Sequence, residues 1–387
     1  MKRIIAFLDE RLPLRELETQ LKKPLPKHTN WLFSLGSMAL FLLLLQVVTG
    51  AFLAFYYSPS PDHAYDAVNY ITQEVPFGAF VRGLHHWGAS AMVVIVFLHL
   101  LRVVIYGSYK APRELTWIVG VVLLLVVLGF GFTGYLLPWD GKAYWATVVG
   151  TKVAGMVPLI GETITKILRG GEEIGAVTLT RFYAIHTIWL PFLVFALVGL
   201  HLFFVRFYGS SGLPKNTPEE MQAGKPFYPH QVFEDAVAIF ILFIVLAGLA
   251  LFVPVPLEEI ANPTDASYDP RPEWYFLFLF QLLTYFEGPL EVMGAFVIPT
   301  LVILLLMFLP FLDRRERLSL RKRPVALTIT SLSVVLIVIL TILGGRSPKL
   351  ETEPSQATVD QAQESQETQE TAPADTGVFD FNIEDGQ

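Results

Sequence analysis

Cysteine does not occur in this 387-residue sequence. Its absence excludes disulfides, thiolate-ligated metals and the Cys-x-x-Cys-His attachment of covalent haem. Charge is scarce as well: Asp, Glu, Lys and Arg make up 16% of the residues, against about 25% in soluble domains. The basic excess that nucleic acid binding calls for is also missing, because the net charge is −7. That acidity belongs to one segment. Residues 346–387 hold ten acidic and two basic side chains, which leaves 26 basic and 25 acidic for everything before them. Rich in Gln, Glu, Thr and Pro, residues 346–387 cannot bury a core and are predicted to be a disordered acidic tail.

Apolar runs are abundant. About 20 residues cross a bilayer, and runs of that order occupy 32–57, 84–106, 114–135, 182–206, 236–255, 290–312 and 325–345. They predict an all-α integral membrane protein with seven transmembrane helices. A further stretch, 273–286, is too short to span and is expected to lie on the surface or re-enter. Residues 1–30 alternate charged and apolar side chains, which predicts an amphipathic surface segment rather than a cleaved leader. Most Lys and Arg fall in that arm, near 106–114, in 206–230 and in 313–323. The positive-inside rule then predicts a cytoplasmic N-terminus and an outer acidic tail.

Polar residues inside these runs point to function. In RGLHHWGASAMVVIVFLHLLRV, His85 and His99 are 14 residues apart. At about 100° per residue they share one helix face, roughly 21 Å apart along the axis. His86 lies about 140° from the His99 direction and points elsewhere. The fourth span repeats the arrangement with His186 and His201, 15 apart. An unpaired polar group in hydrocarbon costs roughly 2–7 kcal/mol, so these imidazoles need partners. Spans two and four cross in the same direction, which levels His85 with His186 and His99 with His201. Two stacked pairs of imidazoles suit two bis-histidine haems. Zinc is disfavoured, because neither pair has a third or fourth ligand nearby in sequence. Gly36 and Gly50 in span one, and Gly120 and Gly134 in span three, repeat the 14-residue interval. Such glycines would let each macrocycle approach a backbone without Cβ.

With LHHWGAS, FLHLLRV, PRELTW, GFTGYLLPWD, LTRFYAIHT, FYPHQVFED and PEWY at 272–275, the chain resembles cytochrome b of the quinol-oxidising bc1/b6f complexes over about residues 25–345. The 15-residue histidine spacing and the seventh helix as the last are similar to the b6 branch, with the b6 and subunit IV parts in one polypeptide. The resemblance implies a four-helix di-haem domain over 31–210 and a three-helix domain with the PEWY loop over 211–345. It implies a low-potential haem on His85 and His186 and a high-potential haem on His99 and His201, both non-covalent. In the b6 branch a cysteine near the first helix carries a further haem; here Ser34 stands there, and no covalent c-type haem is expected.

Roles carried over by the resemblance are these. Glu273 accepts a proton from quinol at an outer site framed by Pro272, Trp274, Tyr275 and Tyr135. Arg82 and Arg181 precede the outer haem ligands and could meet haem propionates. Arg206 and Asp235 line an inner quinone site of mixed type, Arg206 as in b6 and Asp235 as in bc1. Quinol electrons divide between a Rieske iron–sulfur protein, feeding a cytochrome c1/f-like or other c-type cytochrome, and the two haems, which reduce quinone inside while protons are released outside. The expected setting is a homodimeric complex, with quinol and lipids around it, in a bacterial inner membrane. A di-haem anchor of a dehydrogenase would have one quinone site and no PEWY loop. A transporter with histidine proton relays would bind no haem.

Overall fold

The structure is a computed structural model that describes residues 29–209, 224–265, 268–314 and 323–347, with residues 7, 10, 11, 19, 22 and 24–26 of the N-terminal arm. The expectations for most of the amphipathic arm, for the basic residues 315–322 and for the acidic tail beyond Ser347 lie outside the described residues. Among the described residues, seven helices are long and apolar enough to cross a membrane. In chain order, with the shorter helices included, they are α1 (Trp31–Ala54), α2 (Ala64–Gln73), α3 (Gly78–Tyr106), α4 (Glu114–Tyr135), α5 (Gly141–Gly155), α6 (Gly161–Arg169), α7 (Ala176–Tyr208), α8 (Phe227–Phe252), α9 (Trp274–Leu283), α10 (Gly288–Leu312) and α11 (Pro324–Gly344).

Several spans start earlier than their apolar runs. Helix α3 begins at Gly78, just after Phe77 with φ +60°, and α7 begins at Ala176, where Thr178 Oγ1 accepts the Gly175 N–H at 3.1 Å. Hydropathy marks where a helix meets hydrocarbon, whereas these start signals mark where its backbone ladder begins. The short helices α2, α5 and α6 carry mixed polar faces and escape an apolar scan. Helix α5 exists because Asp140 caps it, Oδ1 accepting the Ala143 N–H at 2.9 Å, as expected of an N-cap aspartate. Its entry is tight: Trp139 has φ +56° although it is buried, an uncommon conformation for a bulky side chain.

Helix α1 packs along α3, α4 along α7, and α8 against both α3 and α1. Their shared core contains Leu42, Leu43, Leu84, Met92, Val126, Val194 and Leu246. Most span side chains face outward, Phe192, Phe240 and Leu305 among them, as lipid or a partner subunit would require. The last two spans are tied to the first half by polar bonds. Trp117 Nε1 donates to the Leu306 carbonyl at 2.7 Å, and Arg323 donates to the Ile105 carbonyl at 2.9 Å. Lys110 pairs with Asp313 at 2.7 Å, and Tyr109 donates to the same carboxylate at 2.6 Å. Helix α9, too short to span, lies against α11 where Gly344 leaves room for the Leu277 carbonyl. Residues Asn262–Asp269 form a separate small unit, in which Asn262 Oδ1 accepts from the Thr264 amide at 3.0 Å and hydroxyl at 2.8 Å.

Candidate functional site

The four intramembrane histidines fall into two levels. His85 from α3 and His186 from α7 face each other with ring centroids 6.4 Å apart. Two imidazoles holding one metal from opposite sides, at metal–nitrogen distances of about 2 Å, would stand roughly 6 Å apart. His99 and His201 form the second level, within electrostatic range of one another. The unequal spacing has a local cause. Helix α3 is α-helical from Gly78 to Tyr106, but α7 contains a π-turn at Ile185–Trp189. A π-turn holds one extra residue in the helix, so 15 residues in α7 do the work of 14 in α3.

Each ring rests on a glycine of the adjoining helix. A Cβ at Gly50 would lie 3.1 Å from His85 Cε1, and at Gly134 2.7 Å from His186 Cε1. At the other level the distances are 3.4 Å from Gly36 to His99 and 3.3 Å from Gly120 to His201. At all four positions the side of the glycine without a Cβ faces an imidazole ring. Hydrogen bonding then orients the rings. Thr49 Oγ1 donates to the Leu45 carbonyl at 2.7 Å and lies 2.9 Å from His85 Nδ1. Thr133 does the same, donating to Gly129 at 2.8 Å and lying 2.9 Å from His186 Nδ1. With its proton committed to a carbonyl, each hydroxyl accepts from Nδ1–H, which leaves Nε2 as the lone-pair nitrogen. At the second level, Nδ1 of His99 and of His201 is buried without a hydrogen-bond partner. This donor set fits iron porphyrin: paired imidazole nitrogens, fixed tautomers at one level, and no Cβ behind any ring.

Arg102 was not picked out from the sequence. Its guanidinium lies 4.5 Å over the Phe33 ring, and its Nε is buried with no partner. It lies three residues beyond His99, in FLHLLRV. The two arginines selected by sequence each donate to backbone carbonyls. Arg82 donates to the carbonyls of Pro256 at 2.9 Å and Val255 at 3.3 Å, and Arg181 donates to the Ile167 carbonyl. His86 points away from the histidine pair, stacking edge-on with Trp87 at 4.9 Å and within electrostatic range of Glu273.

The PEWY segment reaches back over the His85 end of α4. Tyr275 is buried, and its hydroxyl donates to the Gly131 carbonyl at 3.3 Å. Gly131 is needed there, because a Cβ would lie 3.0 Å from the tyrosine ring. Trp274 Nε1 donates to Ser90 Oγ at 3.4 Å. Tyr135 meets Phe276 at 6.4 Å and lies within electrostatic range of Glu273. Glu273 Oε1 accepts from Lys142 Nζ at 2.7 Å. Burial, with the Glu273 charge and Tyr135 adding to it, pushes the Tyr275 phenol well above its ordinary value. Pro272 is half-buried beside them. Beneath, Asp140 Oδ2 accepts the Glu258 N–H at 3.1 Å, and burial raises that carboxyl despite its backbone donors.

At the His99 end, Asp235 is buried. It accepts from Ser37 Oγ at 2.7 Å and from Gln231 Nε2 at 2.7 Å. The buried Ser34 hydroxyl accepts from the same amide at 3.3 Å. Arg206 is exposed, with its guanidinium 5.3 Å over the Phe227 ring. Among the described residues, no group of three or more His, Cys, Asp or Glu could hold a bare metal ion.

A multi-pass helical membrane protein with paired imidazoles at two depths is the class that this geometry defines. The pattern described as "Cytochrome b/b6/petB" matches residues 20–209, and "Cytochrome b(C-terminal)/b6/petD" matches 260–359. Among curated relatives, "Menaquinol:cytochrome c reductase cytochrome b subunit" of Bacillus subtilis is 45% identical over 221 residues, 55% of this chain and 99% of that protein. "Cytochrome b6" of Heliobacterium mobile is 45% identical over 208 residues, 53% of this chain and 98% of that protein. "Cytochrome b/c1" of Bradyrhizobium diazoefficiens is 32% identical over 353 residues, 89% of this chain, which spans 51% of that longer protein. A solved chain titled "Hyperthermophilic respiratory Complex III" superposes with a TM-score of 0.80 at 32% identity, covering 89% of this chain and 92% of that one. The chain belongs to the cytochrome b/b6 family.

Proposed function

We propose that the protein is the di-haem cytochrome b subunit of a quinol:cytochrome c-type oxidoreductase, catalytic only within its complex. The observation that carries this reading is the His85–His186 pair, 6.4 Å between centroids, with both Nδ1 atoms bonded to threonine. His85 and His186 would hold the low-potential haem, and His99 and His201 the high-potential one. Arg102 would meet a propionate of the latter by a charge-assisted bond, with Arg82 and Arg181 as the corresponding residues at the other level. When bound, the two b-type haems supply a one-electron path across the membrane to an inner quinone site.

The chain's own residues handle the protons. Glu273 accepts one from a quinol hydroxyl at the outer site, where Pro272, Trp274, Tyr275 and Tyr135 enclose the ring. Tyr275, its phenol pushed up by burial, stays protonated and acts as a wall and donor. At the other end Asp235 delivers a proton to quinone and Arg206 orients it. Ser34 offers a hydroxyl and no thiol, which supports two non-covalent haems and no covalent third. A Rieske iron–sulfur protein and a c-type cytochrome subunit, in a homodimeric assembly, are the partners. The Lys and Arg distribution supports a cytoplasmic N-terminus in a bacterial inner membrane.

Acid–acetone extraction of the purified complex should remove both haems from this polypeptide, and haem left attached to it refutes the role given to Ser34. Glu273→Gln should keep both haems yet slow quinol oxidation about 10²–10⁴-fold. Wild-type turnover across the pH range would make Glu273 a loop-structuring residue.

A further inference from the structure

Lys142 was not singled out from the sequence, yet it makes the one ion pair described for Glu273. The residues are 131 positions apart and meet at 2.7 Å, with side chains only 27% and 16% exposed. Their meeting is built by backbone. Asp140, two residues before Lys142, accepts the Ala143 and Glu258 amides on its two carboxylate oxygens. Gly141 N–H donates to the Glu259 carbonyl at 3.0 Å, and Asp140 pairs with Ile260 as an isolated bridge. The start of α5 is therefore stapled to the loop that follows α8, and Lys142 is held across from the PEWY carboxylate.

We propose that Lys142 is a positioning residue for proton acceptance at the quinol site. Its ammonium holds Glu273 by Oε1 and leaves Oε2 for the quinol hydroxyl. The inference rests on the reading of Glu273 as the proton acceptor. The step is a proton transfer: the quinol O–H bond breaks, an Oε2–H bond forms, and the quinol electrons leave to the acceptors of the oxidoreductase. Neutralising the carboxylate removes the charge that Lys142 attracts, so the ion pair weakens when the proton arrives and reforms when it departs. The other groups facing Glu273 are the Tyr135 phenol from α4, the Tyr275 phenol beside it in sequence, and His86 from α3. Arg82 lies beyond His86. None of these carries a fixed positive charge bonded to the carboxylate, so the ammonium has no substitute among them.

The test is quinol:cytochrome c turnover of the intact complex from pH 5.5 to 9 in Lys142→Met, Lys142→Arg, Glu273→Gln and the double variant K142M/E273Q, with haem content measured in each. Lys142→Met should lower kcat about tenfold or more, because the carboxylate is no longer held in place, with haem content unchanged. Lys142→Arg should keep the wild-type profile, and the double variant should match Glu273→Gln alone. Lys142→Gln replaces Lys142→Met if the latter fails to assemble. A slow Glu273→Gln beside a wild-type profile in Lys142→Met overturns the role of Lys142 alone. So does a loss of turnover in the double variant beyond that of Glu273→Gln alone. Wild-type turnover in Glu273→Gln overturns the reading of Glu273 and the inference with it.

Discussion

Gly134→Ala adds one methyl to α4, and the structure places that methyl 2.7 Å from His186 Cε1 and 3.4 Å from both ring nitrogens. Ordinary carbon–carbon contact begins near 3.5 Å, so the overlap is a substantial fraction of an ångström. The ring cannot simply turn aside, because Nδ1 is held by Thr133 at 2.9 Å. Overpacking of this kind costs about 1–3 kcal/mol, and at about 1.4 kcal/mol per decade haem affinity at the His85–His186 level should fall roughly 5- to 150-fold. Gly36→Ala is the internal control. Its methyl would sit 3.4 Å from His99 Cε1, an ordinary contact, so both haems should remain. Alanine is the better helix former, which excludes loss of helicity as a cause. Pyridine haemochrome stoichiometry, with redox difference spectra that resolve the two haems, reads both variants. Full haem content in Gly134→Ala, or equal loss in both, would refute the claim that the glycines make room for the rings.

Thr49→Val and Thr133→Val should each raise the midpoint potential of the haem at that level and leave the other unchanged, because losing the acceptor for Nδ1–H makes the ligand less basic; potentiometric titration of the two haems checks it. His201→Ala should remove the His99-level haem only, whereas His86→Ala should keep both, as the Trp87 packing of that ring implies; loss of a haem in the second variant contradicts the assignment. Asp313→Asn should lower the thermal inactivation midpoint, since breaking a buried pair costs about 3–5 kcal/mol and partial exposure of Asp313 reduces that. Burial alone would raise the Asp313 carboxyl, but the hydrogen bonds from Lys110 and Tyr109 and the charges of Lys110 and Arg323 outweigh it and hold it below its ordinary value. A depressed carboxyl contributes fully above its unfolded value and is lost only as pH falls through the folded one. The wild-type midpoint owed to this cluster should thus stay flat from pH 5 to 8 and drop in more acidic buffer; a drop already at pH 6 would contradict it.

Seven spans were legible because lipid imposes a simple code of length and apolarity. The histidine levels were legible because helical geometry converts spacing into direction. The π-turn beneath His186 was not, since a one-residue spacing difference does not say where a helix takes up the slack. Helix α5 was missed for another reason: its mixed polar face escapes an apolar scan, and the bond from Glu258 that anchors its Asp140 cap joins distant segments. Arg102 and Lys142 escaped for that reason as well. Each is one more interfacial cation until packing places Arg102 over the Phe33 ring and Lys142 against Glu273.

Among the described residues, the first four spans and the last three are tied by side chains and loops: Trp117 to Leu306, Tyr109 and Lys110 to Asp313, Arg323 to Ile105, and Asp140 to Glu258. Each of these contacts joins residues more than 100 positions apart, so none of them depends on peptide continuity between the two sets of spans.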